Sequence, residues 1–248
     1  LMKQFDVDIA MVQWITTGYL LMLSIIIPLS SFLKKRFRMK QLFLFANIVF
    51  IIATIMCMIA PSFMVLLLGR LLQGVGAGIA LPLMFNIVLE QAPFDKMGFM
   101  MGIASLIAAI APAVGPSFGG LIVNTLGWRM IFAFLLPLLL LSTGFGIYAI
   151  RQSSATEPVS FDIPGYLMLI IGFICFILAI NSASSEGWLS ARVILLFLVC
   201  LTALFLFVRH TNRIEKPLIN LSICTPVAAI RGCSCDHIPQ RHISHKLF

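Results

Sequence analysis

Leu68-Gly69-Arg70-Leu71-Leu72-Gln73-Gly74-Val75-Gly76-Ala77-Gly78 lies inside an otherwise apolar run, residues 63–89. A run of that length crosses about 30 Å of hydrocarbon as a helix. An arginine within it costs at least about 2.5–3.5 kcal/mol on insertion scales, so Arg70 is expected to face an interior partner or water. Gly74 and Gly78 form a GxxxG with Gly76 between them, which lets a second helix approach closely. Small-residue packing alone accounts for the glycines. It does not account for the arginine.

Six more apolar segments flank this one: 12–33, 41–60, 99–124, 130–150, 164–182 and 191–208. Each is long enough to span a bilayer, the longer ones with tilt. Pro28, Pro82, Pro112, Pro116 and Pro137 fall inside such segments, where neighbouring helices re-satisfy the freed backbone groups. Composition agrees. The 248 residues are 60% hydrophobic and 10% charged, against roughly 25% charged in soluble domains. The polar surface that coats a water-exposed globule is missing, so the expected class is an all-α membrane protein of about seven transmembrane helices.

The net charge of +8 is concentrated in loops. Lys34, Lys35, Arg36, Arg38 and Lys40 crowd one short connection, as the positive-inside rule expects of a cytoplasmic loop. An accessible basic face with readable side chains around it, the mark of nucleic-acid binding, is not visible. Connections after odd-numbered spans hold ten basic residues: those five, Lys96, Arg151, Arg209, Arg213 and Lys216. The opposite side holds Lys3, Arg129 and Arg192. This asymmetry predicts a plasma-membrane protein with residues 209–220 in the cytoplasm and Leu1 outside. Leu1 to Met11 has neither the basic start nor the apolar centre of a signal peptide. A preceding helix, absent from this chain, is therefore expected to carry Leu1 across.

Cys57, Cys175 and Cys200 lie within apolar runs, where a thiol behaves as a small hydrophobe rather than a disulfide partner. After Ile223 the hydrophobic pattern gives way to Cys224, Cys233, Cys235, His237, Arg241, His242 and His245. Thiolates and imidazoles are the usual zinc ligands, which makes a metal site one reading. The Cys-x-Cys-x-His spacing does not match the CxxC pairs of common structural zinc sites. It favours the other reading, an aberrant or disordered tail over 224–248 with no metal. Asp6, Asp8, Glu90, Asp95, Glu157, Asp162, Glu186, Glu215 and Asp236 all fall in loops, at span ends or in the tail. No carboxylate lies at the centre of a span, so the titrating group of a proton-driven machine is expected on a helix outside this chain.

The fourth span reads Ala111-Pro112-Ala113-Val114-Gly115-Pro116-Ser117-Phe118-Gly119-Gly120. Gly115-Pro116 bends a helix, and Gly119-Gly120 leaves one face of the bend bare, suited to close packing beside a cavity.

These strings carry a resemblance. Gly69-Arg70-x-x-Gln73-Gly74-x-Gly76 resembles motif B of the major facilitator superfamily, and Ala111-x-x-x-Gly115-Pro116-x-x-Gly119-Gly120 resembles motif C of its antiporters. Leu126-Gly127-Trp128-Arg129-Met130-Ile131-Phe132 is similar to the Gly-Trp-Arg-x-x-Phe signature before the family's sixth helix. Phe161-Asp162-Ile163-Pro164-Gly165 is similar to the Asp-x-x-Gly that leads into the extra central helices of 14-helix drug:proton antiporters of the multidrug and lincomycin-resistance type. In that frame the seven spans resemble helices 2–8 of 14, a partial major facilitator fold. The family's motif A usually reads Gly-x-Leu-x-Asp-Arg-x-Gly-Arg-Lys. Here the corresponding string is Ser31 to Lys40, with Lys35 at the Asp and Ser31 and Arg38 at the glycines.

The resemblance implies three parts: residues 1–150 as an N-terminal bundle lacking its first helix, residues 151–223 as two extra central helices with their loops, and the tail. It implies a secondary transporter, not an enzyme, that exports drugs or toxic amphipathic compounds in exchange for protons, with no cofactor. Arg70, Gln73, Gly74 and Gly76 would take part in proton coupling. Gly115, Pro116, Gly119 and Gly120 would shape an interface that limits leak. Trp14, Tyr19 and Asn86 are candidate lining residues for a substrate bound near the midplane. The partners are then protons, a small amphipathic substrate and lipid; oligomeric state has no sequence signal. Export of another cargo (a fatty acid, siderophore, sugar or self-made antibiotic) and an inactive truncated fragment are the alternatives. An ATP-driven pump is disfavoured, because the sequence has no GxxxxGK[ST] loop. A membrane-embedded enzyme is disfavoured too, since no nucleophile–base pair or ligand set lies within a span.

Overall fold

In lipid every backbone N–H and C=O must be satisfied from within, which leaves uninterrupted helices as the economical way for these runs to cross. The computed structural model describes residues 5–150 and 162–211. It contains helices α1 (Ile9–Arg36), α2 (Met39–Met58), α3 (Phe63–Gln91), α4 (Met97–Thr125), α5 (Arg129–Ala149), α6 (Ile163–Glu186) and α7 (Ala191–Thr211). A 3-10 turn, Phe94–Lys96, leads into α4. Among the described residues, seven helices are long and apolar enough to cross a membrane, in agreement with an all-α membrane fold.

Most helices outrun the apolar segments that announce them. α1 continues through Lys34, Lys35 and Arg36 in its last turn, and α6 runs to Glu186. Hydropathy marks where lipid ends, whereas the helix ends where a cap or turn takes over its carbonyls and amides. At the start of α6 the Asp162 carboxylate accepts from the Gly165 N–H at 3.0 Å, with Pro164 in the first turn. Between α4 and α5 the chain reverses at Gly127, whose φ of 90° suits glycine. Proline interrupts α1, α3, α4 and α5 at Pro28, Pro82, Pro112, Pro116 and Pro137 without ending any of them.

α3 is the centre of the bundle, packed against α1 on one side and α2 on the other; α2 also packs on α5. α6 and α7 pair as a hairpin, and α6 rests on α1. The Tyr166 hydroxyl of α6 donates to the Ile25 carbonyl of α1 at 3.1 Å, within the turn that precedes Pro28. Two buried clusters hold the bundle near its opposite ends. One joins Met39, Leu42, Ala46, Ile79, Leu83 and Ile150, and the other Cys57, Ala60, Leu66 and Phe132. Many other large apolar side chains, such as Leu138, Phe145, Leu195 and Phe205, are exposed on the outer surface, as lipid contact permits. α4 is the loosest member. Ala104 and Ile122 are its buried residues.

Candidate functional site

The position of Arg70 follows from the glycines around it. A methyl group on Gly74 would sit 2.7 Å from the Tyr19 carbonyl oxygen, and one on Gly78 2.7 Å from the Ile26 Cβ, both on α1. On another side of α3, a methyl on Gly69 would meet the Cys57 sulfur at 2.5 Å and one on Gly76 the Ala46 carbonyl at 2.9 Å, both on α2. The glycines of this stretch therefore seat α3 against two helices at backbone distance, the close approach that small residues permit in membranes. Seating α3 so tightly carries Arg70 and Gln73 into the helix interface.

There, Arg70 Nη1 donates to Gln73 Oε1 at 2.9 Å. The Tyr19 ring of α1 lies under the guanidinium, with Cζ 4.8 Å from its centroid. Such a cation–π contact contributes about 2 kcal/mol when desolvated. Gln73, 1% exposed, donates from Nε2 to Thr54 Oγ1 of α2 at 2.9 Å, and Thr54 in turn donates to the Phe50 carbonyl at 2.7 Å. Among the described residues no carboxylate lies within ion-pair reach of Arg70, and its Nε is buried without a hydrogen-bond partner. A guanidinium secured only by an amide and a ring retains the capacity to bind an anion.

The second string reads differently in three dimensions. α4 is one continuous helix through Pro112 and Pro116, and a methyl on Gly115, Gly119 or Gly120 would meet nothing within 4 Å. The described helices leave that face open, so Gly115, Pro116, Gly119 and Gly120 are not brought together with Arg70.

The three candidate lining residues separate. Tyr19 borders a cavity of about 410 Å³ between α1, α2, α3 and α5, together with Phe43, Phe50, Met84 and Ser142. Trp14, 38% exposed, is not among the residues that border it. Asn86 does other work: its Oδ1 accepts from Lys34 Nζ at 2.8 Å while its Nδ2 donates to the Pro82 carbonyl at 2.8 Å. Lys34 also pairs with Glu90 at 2.9 Å. This cluster ties the end of α1 to the end of α3, in the string where the family's motif A has its own charges.

Two other strings are structural in this chain. Arg129 donates from Nη2 to the Ala60 carbonyl just past α2 at 2.8 Å, and its guanidinium stacks 4.6 Å from the Trp128 ring. Phe132, one turn on, enters the buried cluster with Cys57, Ala60 and Leu66. The Gly-Trp-Arg-x-x-Phe string thus fastens α5 to the end of α2. Asp162 caps α6 and meets His210 Nε2 of α7 at 3.0 Å, closing the hairpin. Its carboxylate occupies the place a Gly165 side chain would need, which explains the glycine of Asp-x-x-Gly.

Thr54 and Glu90 were not singled out by sequence reading. A signal existed for Thr54: with Asn47 one heptad before and Cys57 three residues after, it breaks an apolar run on one face of α2, and all three are buried. Glu90 sits at a span end, where acidic residues are commonplace, and its pairing with Lys34 needs the fold. The Cys/His-rich segment from Cys224 onward lies outside the described residues. Among the described residues no group of three metal-ligating side chains occurs.

The sequence profile described as Major Facilitator Superfamily matches residues 1–208. The chain is 39% identical over 223 residues to the lincomycin resistance protein LmrB of Listeria monocytogenes, covering 90% of this chain and 47% of that protein. LmrB of Bacillus subtilis is also 39% identical, over 89% of this chain and 47% of its own length. A multidrug resistance protein B homolog of Mycobacterium tuberculosis is 30% identical, over 86% and 40% respectively. The chain spans about half the length of the curated relatives it matches. Membrane-length helices, a glycine-seated arginine in α3 and a profile match over most of the sequence lead to one assignment: this chain belongs to the major facilitator superfamily.

Proposed function

We propose that this chain forms part of a secondary transporter that exports drugs or other toxic amphipathic compounds in exchange for protons. The observation that carries the proton half is Arg70: a cation inside a membrane span, anchored by Gln73 and the Tyr19 ring, with Nε unpartnered and no carboxylate nearby among the described residues. Such a group lowers the pKa of an acid brought beside it and raises it again on withdrawal, which is how proton affinity becomes tied to conformation. The names of the relatives, lincomycin resistance protein and multidrug resistance protein, support the cargo. In this reading residues 1–150 form one bundle and 151–223 the extra central helices. The open glycine face of α4 at Gly115, Pro116, Gly119 and Gly120 seals against another helix to limit leak. The basic stretch 34–40, at the facing ends of α1 and α2, and residues 209–220 face the cytoplasm of a cell whose plasma membrane holds the protein.

The test is efflux from cells lacking their own drug exporters, expressing the complete coding frame that carries this sequence. Lincomycin accumulation should fall on expression and recover when a protonophore collapses the gradient. Arg70→Ala should abolish efflux at unchanged membrane abundance. Efflux that survives the protonophore but stops on ATP depletion would overturn the proposal.

A further inference from the structure

The motif that contains Arg70 lies entirely on α3, yet the hydrogen bond that fixes its geometry comes from α2. We propose that Thr54 is a positioning residue of the Arg70 site, because it decides which end of the Gln73 amide faces the guanidinium. This rests on the reading of Arg70 given above for its link to transport, but the geometry stands by itself.

The two ends of a glutamine amide are nearly the same shape, so the hydrogen-bond network sets their orientation. A threonine hydroxyl has one proton. The Phe50 carbonyl, 2.7 Å from Thr54 Oγ1, can only accept, so that proton is spent there. Toward Gln73 the hydroxyl therefore acts as an acceptor, and the group placed 2.9 Å away must be the amide NH2. The amide oxygen is left pointing at Arg70 Nη1, at 2.9 Å. Thr54 is 0% exposed and Gln73 1%, so water cannot replace either contact. The reverse orientation would set NH2 donors against a guanidinium that has only donors. Nor can α2 slide to relieve such a clash, because Ala53 and Cys57, on either side of Thr54, abut Gly69 of α3. One buried hydroxyl on a neighbouring helix thus keeps an acceptor aimed at the charge.

The test reads Arg70 directly. The complete protein in lipid nanodiscs is treated with phenylglyoxal, and labelling of Arg70 is followed by peptide mass spectrometry, with Arg129 as internal control. Thr54→Val, which keeps the shape and removes the hydroxyl, should raise Arg70 labelling about tenfold to a hundredfold, the scale of losing a hydrogen bond to a charged group. Arg129 should stay unchanged. Thr54→Ser should behave as the unaltered protein, and Gln73→Leu as Thr54→Val. Adding Thr54→Val to Gln73→Leu should change nothing further. If Thr54→Val cannot be produced, Thr54→Cys, a poorer acceptor of similar size, takes its place. Labelling of Arg70 that ignores the Thr54 variants, or that rises together with Arg129, overturns the proposal. In parallel, Thr54→Val should displace the pH profile of lincomycin efflux while Thr54→Ser restores it. A labelling response with no displaced profile leaves Thr54 in its positioning role and removes the proton-coupling reading of Arg70 instead.

Discussion

Glycine-to-alanine substitution should change sign between α3 and α4 of this chain. On Gly74 the added methyl lands 2.7 Å from the Tyr19 carbonyl oxygen and 2.8 Å from the Met22 Cβ. Ordinary carbon contacts lie at about 3.5–4.0 Å, so α1 must withdraw by several tenths of an ångström or more. Overpacking of this kind costs about 1–3 kcal/mol. The intrinsic gain of alanine over glycine in a helix, about 0.5–1 kcal/mol, offsets part of it. Withdrawal also pulls Tyr19 from beneath Arg70, so the net loss is about 1–2 kcal/mol. On Gly119 the methyl meets nothing within 4 Å, and only the intrinsic gain remains, between zero and about 1 kcal/mol. The two variants of this 248-residue chain should then differ by about 1–3 kcal/mol, or about 2–12 °C in Tm at this size. Thermal unfolding of the purified chain in detergent micelles, followed by circular dichroism, gives the comparison. Gly74→Ala unfolding at or above the temperature of the unaltered chain would refute the packing argument. Gly119→Ala falling as far as Gly74→Ala would show that the face of α4 is covered after all.

Other outcomes follow from the remaining contacts. Arg129→Lys keeps the charge but loses the planar stack on Trp128 and the reach to the Ala60 carbonyl; the same melting assay should show a loss of about 1–2 kcal/mol. Asp162→Ala should cost about 1–2 kcal/mol through the lost cap and His210 contact. Gly165→Ala should match it, since its methyl displaces the same carboxylate; a neutral Gly165→Ala would contradict that account. For orientation, a single cysteine at Lys40 should resist a membrane-impermeant maleimide applied to intact cells, while one at Gly127 should react. The reverse pattern would invert the assigned topology.

Much of the fold was legible beforehand because its causes are local. Each apolar run satisfies its own backbone as a helix, so hydropathy marks the seven spans, and α2 (Met39–Met58) lies within two residues of 41–60 at either end. The extra turn of α1 through Arg36 arises because a cap or turn, not the loss of hydropathy, ends a helix. The glycines of α3 announced close packing, and Arg70 announced an interior environment. What they approached did not follow from the string itself. Gly74 and Gly78 meet α1 while Gly69 and Gly76 meet α2, and only the assembled bundle distinguishes those two sides.

The same division runs through the site. Residue patterning along the chain establishes a multi-helix membrane protein, with one cation held within a span and charged residues gathered at one set of helix ends. Only the assembled bundle brings Thr54 to Gln73, Lys34 to Asn86 and Glu90, Arg129 to Ala60, and Tyr166 to Ile25 from 141 residues away. Lipid supplies no hydrophobic preference for one helix partner over another. Partner choice therefore rests on shape and on a few polar bonds between residues distant in the chain, and neither is written in the periodicity of a single helix.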